Sequence, residues 1–423
     1  MAYQTVKGTY DLLPEQMQKF NELAEMFREN LELYGYHEIK TPVFEYTGVF
    51  KKENDTSDMV TKEMYTFSMN EKDSFTLRPE GTAGAIRSFV EHKMYGNAEL
   101  PVKLAYIEEM FRHERPQKGR QRQFTQMGIE CIGDKDPLID AEVIALGYFY
   151  IKQIGLKSIK VLINTLGDNE SRLRYKETLA DYFRPHISEL CPDCQNRLEK
   201  NPLRILDCKI DRDSELVKNA PKMELTEASA EYFAKVKQYL DVLEIPYEID
   251  DRLVRGLDYY TDTVFEVVST HEESGSQATI FGGGRYDNLV KEMGGPALSG
   301  IGFAIGVERL MILADAEGIF DEYKPEISCY VINLNKTPDY ALKVAQDLRR
   351  ASWTVEMDYY GRSLKAQFKS SERKNARFVL IIGEDEIKEN VVTLKDTLTK
   401  AQETVKLEEL DERMCQLMED YYE

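Results

Sequence analysis

No stretch of this 423-residue chain comes near the roughly eighteen uninterrupted apolar residues of a membrane-spanning helix, so no membrane partner is expected. The opening segment, MAYQTVKGTYDLLPEQ, lacks the basic start and apolar centre of a secretory signal, and the expected location is cytoplasmic. Cysteine is scarce: six in so long a chain build no disulfide framework. Cys191 and Cys194 form a C-x-x-C, with Cys208 downstream and His186 just upstream. This set could make a zinc site, but no second such pair follows, and the expectation is reduced thiols with no metal. Positive charge is in deficit overall. A net charge of −20 favours solubility and argues against indiscriminate nucleic-acid binding, while leaving room for a local basic surface. There is no G-x-x-x-x-G-K-[ST] phosphate loop, and Gly300, Gly302 and Gly306 are spaced wrongly for the dinucleotide fingerprint. Any nucleotide would have to rest on arginines and an antiparallel sheet. No internal repeat or low-complexity tract is visible.

What is present concentrates in residues 111–130, FRHERPQKGRQRQFTQMGIE. Arg112, Arg115, Lys118, Arg120 and Arg122 crowd a stretch that Pro116 and Gly119 interrupt, and apolar residues alternate on both flanks. That pattern predicts two antiparallel strands joined by a long basic loop. Many Lys/Arg runs are only solvated hairpin tips. Arg112 and Glu114, however, sit inside the strand pattern, where a charge on a buried sheet face needs a partner or a ligand. Such a hairpin suits a polyanion.

Around it, Pro14 opens an amphipathic helix whose buried face, from Met17 to Tyr34, ends at Gly35. YHEIKTPVFEY follows as a strand in which Pro42 fits an edge or a subunit contact. FTLRPEGTAGAIRSFV is a strand that ends at Arg78-Pro79 and turns through Gly81 into a helix, with Glu80 and Thr82 at the turn as helix caps or cleft residues. Pro137 opens another helix that Gly155 closes, SIKVLIN is a strand, and residues 168–222 form a charged helical insertion carrying the cysteines. YEIDDRLVRGLDYYTDTVFEVV reads as two antiparallel strands flanking Gly256-Leu257-Asp258. QATIFGGGRYDNLV and LSGIGFAIGVERL place glycines inside strands, which implies close approach by a ligand or another strand. From Ile327 strand and helix alternate in a small α/β domain with a mostly parallel sheet. Its first helix is capped at Thr337-Pro338, and Arg362, Lys365, Lys369, Arg373, Lys374 and Arg377 form a basic patch. The fold class is therefore α+β, divided into residues 1–324 and 325–423.

Arg112, Arg255 and Arg309 stand at strand or helix-start positions; each could be a structural ion-pair partner. With Glu80, Glu114 and Glu130 they suggest one site for phosphates and an amino group. At these residues the chain resembles the class II aminoacyl-tRNA synthetases, and among them the histidyl-tRNA synthetase family. GYHEIKTPVFE, FRHERPQKGRQRQFTQMGIE and GIGFAIGVERL are similar to the three class II motifs. TLRPEGTAGA and LVRGLDYYTDTVFEV are similar to the two segments that mark the histidine enzymes. The resemblance covers the first 310 or so residues, and the C-terminal domain resembles the family's anticodon-binding module.

The resemblance implies a histidine–tRNA ligase with an antiparallel-sheet catalytic domain. It would form histidyl-adenylate from L-histidine and ATP with Mg²⁺, pass histidine to the 3′ end of tRNA(His), and act as a homodimer. It puts Arg112 and Arg255 on the α-phosphate, Arg255 where other class II enzymes hold a magnesium ion. Glu114 would accept from the adenine amino group, Phe124 and Arg309 would stack on the ring, and Arg120 would hold the terminal phosphate. Glu80, Thr82 and Gln126 would take the ammonium of histidine, Glu130 and Tyr260 its imidazole, with Tyr259 and Tyr286 lining the pocket. Gln117 and Arg122 would touch the tRNA acceptor end. A rival reading is a non-catalytic histidine-binding paralogue of the kind that regulates ATP phosphoribosyltransferase. Such relatives typically lose the C-terminal module and some catalytic arginines, and here Arg112, Arg255 and Arg309 are all present.

Overall fold

A computed structural model describes residues 3–51, 57, 59–70, 72–97, 99–208, 210–272, 278–320, 327–334 and 338–422. The chain divides into two compact units, residues 1–321 and 322–423. The first is built on an eight-stranded sheet in the order His37–Glu38, Val102–Phe111, Gln123–Gly133, Ser299–Gly306, Thr279–Tyr286, Thr261–Ser269, Ile159–Thr165 and Glu248–Ile249. The six inner strands are antiparallel to their inner neighbours, and only the two short edge strands pair in parallel. Strand alternation sends Ala105, Met127, Ile129, Phe265, Phe281, Ile301 and Phe303 to one face, where they pack in a single core with residues of helices Pro14–Leu33, Pro137–Ile154, Glu227–Val242 and Val307–Ala316. Local chemistry sets the helix ends. Asp136 caps 137–154 through the Leu138 N–H at 2.8 Å, and Gly155 closes that helix with a left-handed φ of 97°. Asp168 caps 169–183 through Ser171 in the same way.

Two local expectations change. Pro42 divides its segment, so that His37–Glu38 joins the large sheet whereas Phe44–Tyr46 joins a separate three-stranded sheet with Ser74–Leu77 and Thr66–Ser68. The strands flanking Gly256 do not pair with each other. Both lie beside Ile159–Thr165, one on each side, and Arg255 to Asp258 form a connection above the sheet. Residues 168–222 do form helices and short turns, with a small core of their own that includes Leu179, Phe183, Leu190, Cys194, Leu198, Ile205 and Cys208.

The second unit holds a five-stranded sheet ordered Val355–Met357, Cys329–Asn333, Phe378–Ile382, Val391–Asp396 and Gln402–Lys406. The first three strands are parallel, but the last two add antiparallel, so the sheet is mixed rather than mostly parallel. The expected cap Thr337 lies outside the described residues. The basic patch is narrower than its sequence. Arg377 is buried against Asp396, Arg362 pairs with Asp358 and Lys374 with Glu356. Lys365, Lys369 and Arg373 remain exposed along one helix face.

Candidate active site

The face of the large sheet opposite the core carries the site. Register places Glu266, Gly282, Ala304, Gly128 and Tyr106 in one row across five strands, and Val264, Gly284, Gly302, Glu130 and Leu104 in the next. Small residues occupy the middle of each row, Gly282, Ala304 and Gly128 in the first and Gly284 and Gly302 in the second, with larger ones at the ends, which opens a hollow on the sheet. The glycines are required by neighbouring side chains. A Cβ at Gly282 would stand 2.6 Å from the Arg255 guanidinium, and one at Gly302 would collide with the Glu130 carboxylate. The close approach read into these strands is thus made by the protein's own charged groups.

At one end of the hollow, Glu130 is fully buried and accepts hydrogen bonds from Thr82 Oγ1 (2.6 Å), the Tyr286 hydroxyl (2.6 Å) and the Tyr106 hydroxyl (3.2 Å). Burial pushes its carboxyl up to about 8, with Thr82 and Tyr286 pulling the other way. Glu80 accepts from the backbone N–H groups of Thr82 (2.7 Å) and Ala83 (2.9 Å) and so caps helix Thr82–Glu91. Its carboxyl is raised by burial, against those two bonds. The capping reading of Glu80 is therefore correct, and capping fixes the carboxylate at the wall of the cavity.

At the other end stand four arginines. Arg112 donates from Nε to the Pro79 carbonyl (2.8 Å) and lies 5.2 Å over the Phe124 ring. Arg309 donates to the carbonyls of Gly119 (2.9 Å) and Thr279 (3.0 Å). Arg120 pairs with Glu114, and Arg255 with Glu266. Burial lowers Arg309 to about 10, helped by the charges of Arg120 and Arg112; burial likewise lowers Arg112 despite Glu63 and Glu80. Burial opposes the charge on Arg255 too, but Glu266 together with Tyr260, Tyr259 and Asp207 outweighs it and the net shift is upward. The Nε of Arg255 and the Oε1 of Gln126 are buried without a hydrogen-bond partner, so both hold bonding capacity in reserve.

One cavity brings together Glu80, Thr82, Arg112, Glu114, Arg120, Phe124, Gln126, Arg255, Tyr259, Tyr260 and Arg309. Glu130 and Tyr286 lie behind its wall, reached through Thr82 and Tyr106. Gln117 and Arg122 stand outside. Gln117 is in the turn that closes on Arg120, and Arg122 is held by the carbonyls of Glu114 (3.2 Å) and Lys7 (3.4 Å). Sequence reasoning missed Tyr106, whose ring fills the space over Gly81 and Gly128, and Glu266, the partner of Arg255. Tyr106 reads as one more apolar strand residue, and the pairing of Glu266 depends on strand register. Both could have been suspected only from the glycines opposite them. The cysteines of the insertion are free thiols. Cys191, Cys194 and Cys208 converge with Asp211, whereas His186 pairs with Glu189.

Known proteins carry the same architecture. A family model described as histidyl-tRNA synthetase matches residues 8–310, and one described as an anticodon binding domain matches residues 328–416. The chain is 51% identical over 412 residues to a histidine–tRNA ligase of Bacillus cytotoxicus, covering 96% of this chain and 97% of that protein. It is 50% identical over 411 residues to a histidine–tRNA ligase of a Geobacillus species, with the same coverage. The crystal structure of apo histidyl-tRNA synthetase from S. aureus superposes with a TM-score of 0.83 at 39% identity, covering 98% of this chain and all of that one. With its sheet, its insertion and its C-terminal unit all matched, the chain belongs to the histidyl-tRNA synthetase family.

Proposed function

We propose that this chain is a histidine–tRNA ligase that joins L-histidine to ATP as histidyl-adenylate, releases diphosphate, and passes histidine to the 3′ end of tRNA(His). One observation carries this reading: a single cavity has the buried Glu80 carboxylate in its wall at one end, with Glu130 hydrogen-bonded just behind, and four arginines at the other. The first end suits an ammonium and an imidazole, the second a triphosphate. The histidine carboxylate is already ionised, so an oxygen attacks the α-phosphorus without a general base while the bond to the bridging oxygen breaks. Catalysis is then positioning plus stabilisation of charge on the α-phosphoryl oxygens, which we assign to Arg112 and Arg255. Arg120 takes the terminal phosphate, Glu114 the adenine amino group, and Phe124 and Arg309 the faces of the ring. Glu80, Thr82 and Gln126 hold the ammonium, and Glu130 and Tyr260 read the imidazole beside Tyr259 and Tyr286. A site that hydrogen-bonds a polar side chain rejects apolar analogues by roughly 10⁴–10⁵, so no editing step is needed.

Mg²⁺ would accompany the β- and γ-phosphates and neutralise charge as it develops. Glu63, beside Arg120 at the cavity mouth, offers the kind of hard oxygen donor such an ion takes. Gln117 and Arg122, beside that mouth, would meet the acceptor end of tRNA, and the exposed stripe Lys365, Lys369 and Arg373 would meet phosphates of the anticodon stem. We also assign catalysis to residues 1–324 and anticodon binding to residues 325–423. A homodimer is supported by exposed aromatics on the three-stranded sheet, where Phe44, Tyr46 and Phe67 cluster with Phe75. The cytoplasm is the expected location; no helix among the described residues is long and apolar enough to cross a membrane. ATP–pyrophosphate exchange, measured with every proteinogenic amino acid, tests the central reading. Exchange with histidine alone is expected. Exchange with another amino acid, or with none, would refute it.

A further inference from the structure

In the helical insertion, Cys191, Cys194, Cys208 and Asp211 each aim one donor atom at a common point, and these four atoms all lie within 4.8 Å of one another. Cys191 is the N-cap of helix Pro192–Lys200, and Cys194 follows in its first turn. The Sγ atoms of Cys191 and Cys208 are 3.6 Å apart. Thiolates on a tetrahedral zinc, each about 2.3 Å from the ion, stand about 3.8 Å from one another, so this pair is already at ligand separation. Closing the farthest pair requires an approach of about 1 Å.

Asp211 sharpens the argument. It is buried, it accepts the backbone N–H of Cys191 at 2.9 Å, and no lysine or arginine among the described residues forms an ion pair with it. Its carboxylate therefore offers an oxygen donor beside the three sulfurs rather than to a cationic side chain. Cys208 Sγ in turn accepts the N–H of Ile210 at 3.4 Å, the bond that orients a ligating sulfur. The spacing is C-x-x-C followed by C-x-x-D, so a second pair exists with an aspartate in the last position. Three thiolates and one carboxylate form a closed donor set with no open position, which is the signature of a structural rather than a catalytic ion.

We propose that Cys191, Cys194, Cys208 and Asp211 bind one structural zinc ion that staples the insertion. The insertion needs such help: its core is a small cluster separate from the main core, and small cores are marginal without a cross-link or metal. The stapled segment also touches the connection that carries Arg255. Asn201 donates to Asp258 at 2.8 Å and Arg204 to the Gly256 carbonyl at 3.4 Å.

The test is the metal content of the full-length, untagged protein purified in reducing buffer without chelators, measured by inductively coupled plasma mass spectrometry. About one zinc per chain is expected, and Co²⁺ exchanged into the site should give thiolate-to-metal charge-transfer bands with the visible bands of tetrahedral cobalt. Asp211→Asn should keep the fold and weaken zinc at least roughly tenfold in chelator competition. Cys208→Ser should lower the content further. Native protein that carries no zinc and takes up none when reduced and supplied with zinc alone would overturn the proposal. So would zinc retained undiminished in both variants, or a disulfide between Cys191 and Cys208 in the freshly isolated protein.

Discussion

Glu130→Gln separates the electrostatic cost of the buried carboxylate from its use. In the wild type this carboxyl titrates near 4.5 when unfolded and is pushed up to about 8 in the folded chain by burial. Between those values the folded state binds more protons than the unfolded one. The contribution to stability is therefore fully present below about 4.5, shrinks as pH rises, and is gone above about 8. Integrating between about pH 6 and pH 9 gives a loss of roughly 2–3 kcal/mol from this one group. The glutamine has the same shape and no charge to bury, and hydroxyls such as those of Thr82, Tyr106 and Tyr286 can turn to accept from its amide. Other buried carboxyls with raised values, Glu80, Asp140 and Glu308, are common to both proteins and largely cancel in the difference. Denaturant unfolding of wild type and variant across this range should show the variant gaining roughly 2–3 kcal/mol on the wild type as pH rises. The same change is expected to cut histidine-dependent pyrophosphate exchange by at least about 10², because the carboxyl proposed to read the imidazole is replaced by an amide that cannot share a proton with it. Parallel stability curves would show that Glu130 does not titrate in this window. Undiminished exchange would show that it does not read histidine.

Arg255→Ala should fold yet lose adenylate formation by at least about 10², the worth of one charge-stabilising donor, and single-turnover rates near wild type would remove it from the mechanism. Gly302→Ala should cost at least about 1–3 kcal/mol, since its methyl would meet the Ile129 carbonyl oxygen and the Glu130 carboxylate, and unchanged melting would refute the packing argument. Replacing Phe44 and Tyr46 together by serine should shift the protein toward monomer in sedimentation; a wild type that is already monomeric and fully active at micromolar concentration would refute the dimer. A chain ending near residue 321 should keep pyrophosphate exchange while charging tRNA poorly, chiefly through a higher KM for tRNA with a shallower salt dependence. Exchange that collapsed as far as charging would make the C-terminal unit part of the active-site scaffold.

Much of the fold was legible because periodicity and punctuation agree. Pro14, Pro137 and Gly155 mark helix ends where the helices do begin and end, and alternation around the basic loop gives the two long strands. What was not legible depends on pairing. Thr261–Ser269 takes Ile159–Thr165 as a neighbour, about a hundred residues back in the chain, and no local signal encodes that choice. The basic patch of the second unit misled for a related reason. Arg377 has the same charge as Lys369, but Asp396 on the adjoining strand draws it inward. At the site, the arginines and glutamates were visible as charges inside apolar patterns. Their partners were not, since Glu266 and Tyr106 become functional only through register.

The partners decide how the arginines work. Arg112 and Arg309 are anchored by carbonyl oxygens of Pro79, Gly119 and Thr279, which fix direction without cancelling a full charge. Arg255 and Arg120 are anchored by the carboxylates Glu266 and Glu114. Arg112 and Arg309 are thus held by carbonyl dipoles with carboxylates farther off, Glu63 and Glu80 around the first and Glu266 and Glu308 around the second, whereas Arg255 and Arg120 sit in direct ion pairs. The first two repel each other, and Arg309 is lowered to about 10, first by burial and then by Arg120 and Arg112. On the proposed function a triphosphate would relieve that repulsion on entry, so binding is expected to draw on Arg112 and Arg309. Arg255 keeps Glu266 behind it and an unused Nε in reserve. Its interaction should grow as charge builds on the α-phosphoryl oxygens, and that difference between ground and transition state is what accelerates a reaction. On this argument Arg255→Ala should fall mainly on the rate of adenylate formation, whereas Arg309→Ala should fall mainly on the Kd for ATP. Single-turnover kinetics over a range of ATP concentrations separates the two, and equal losses of rate and affinity in both variants would refute the division.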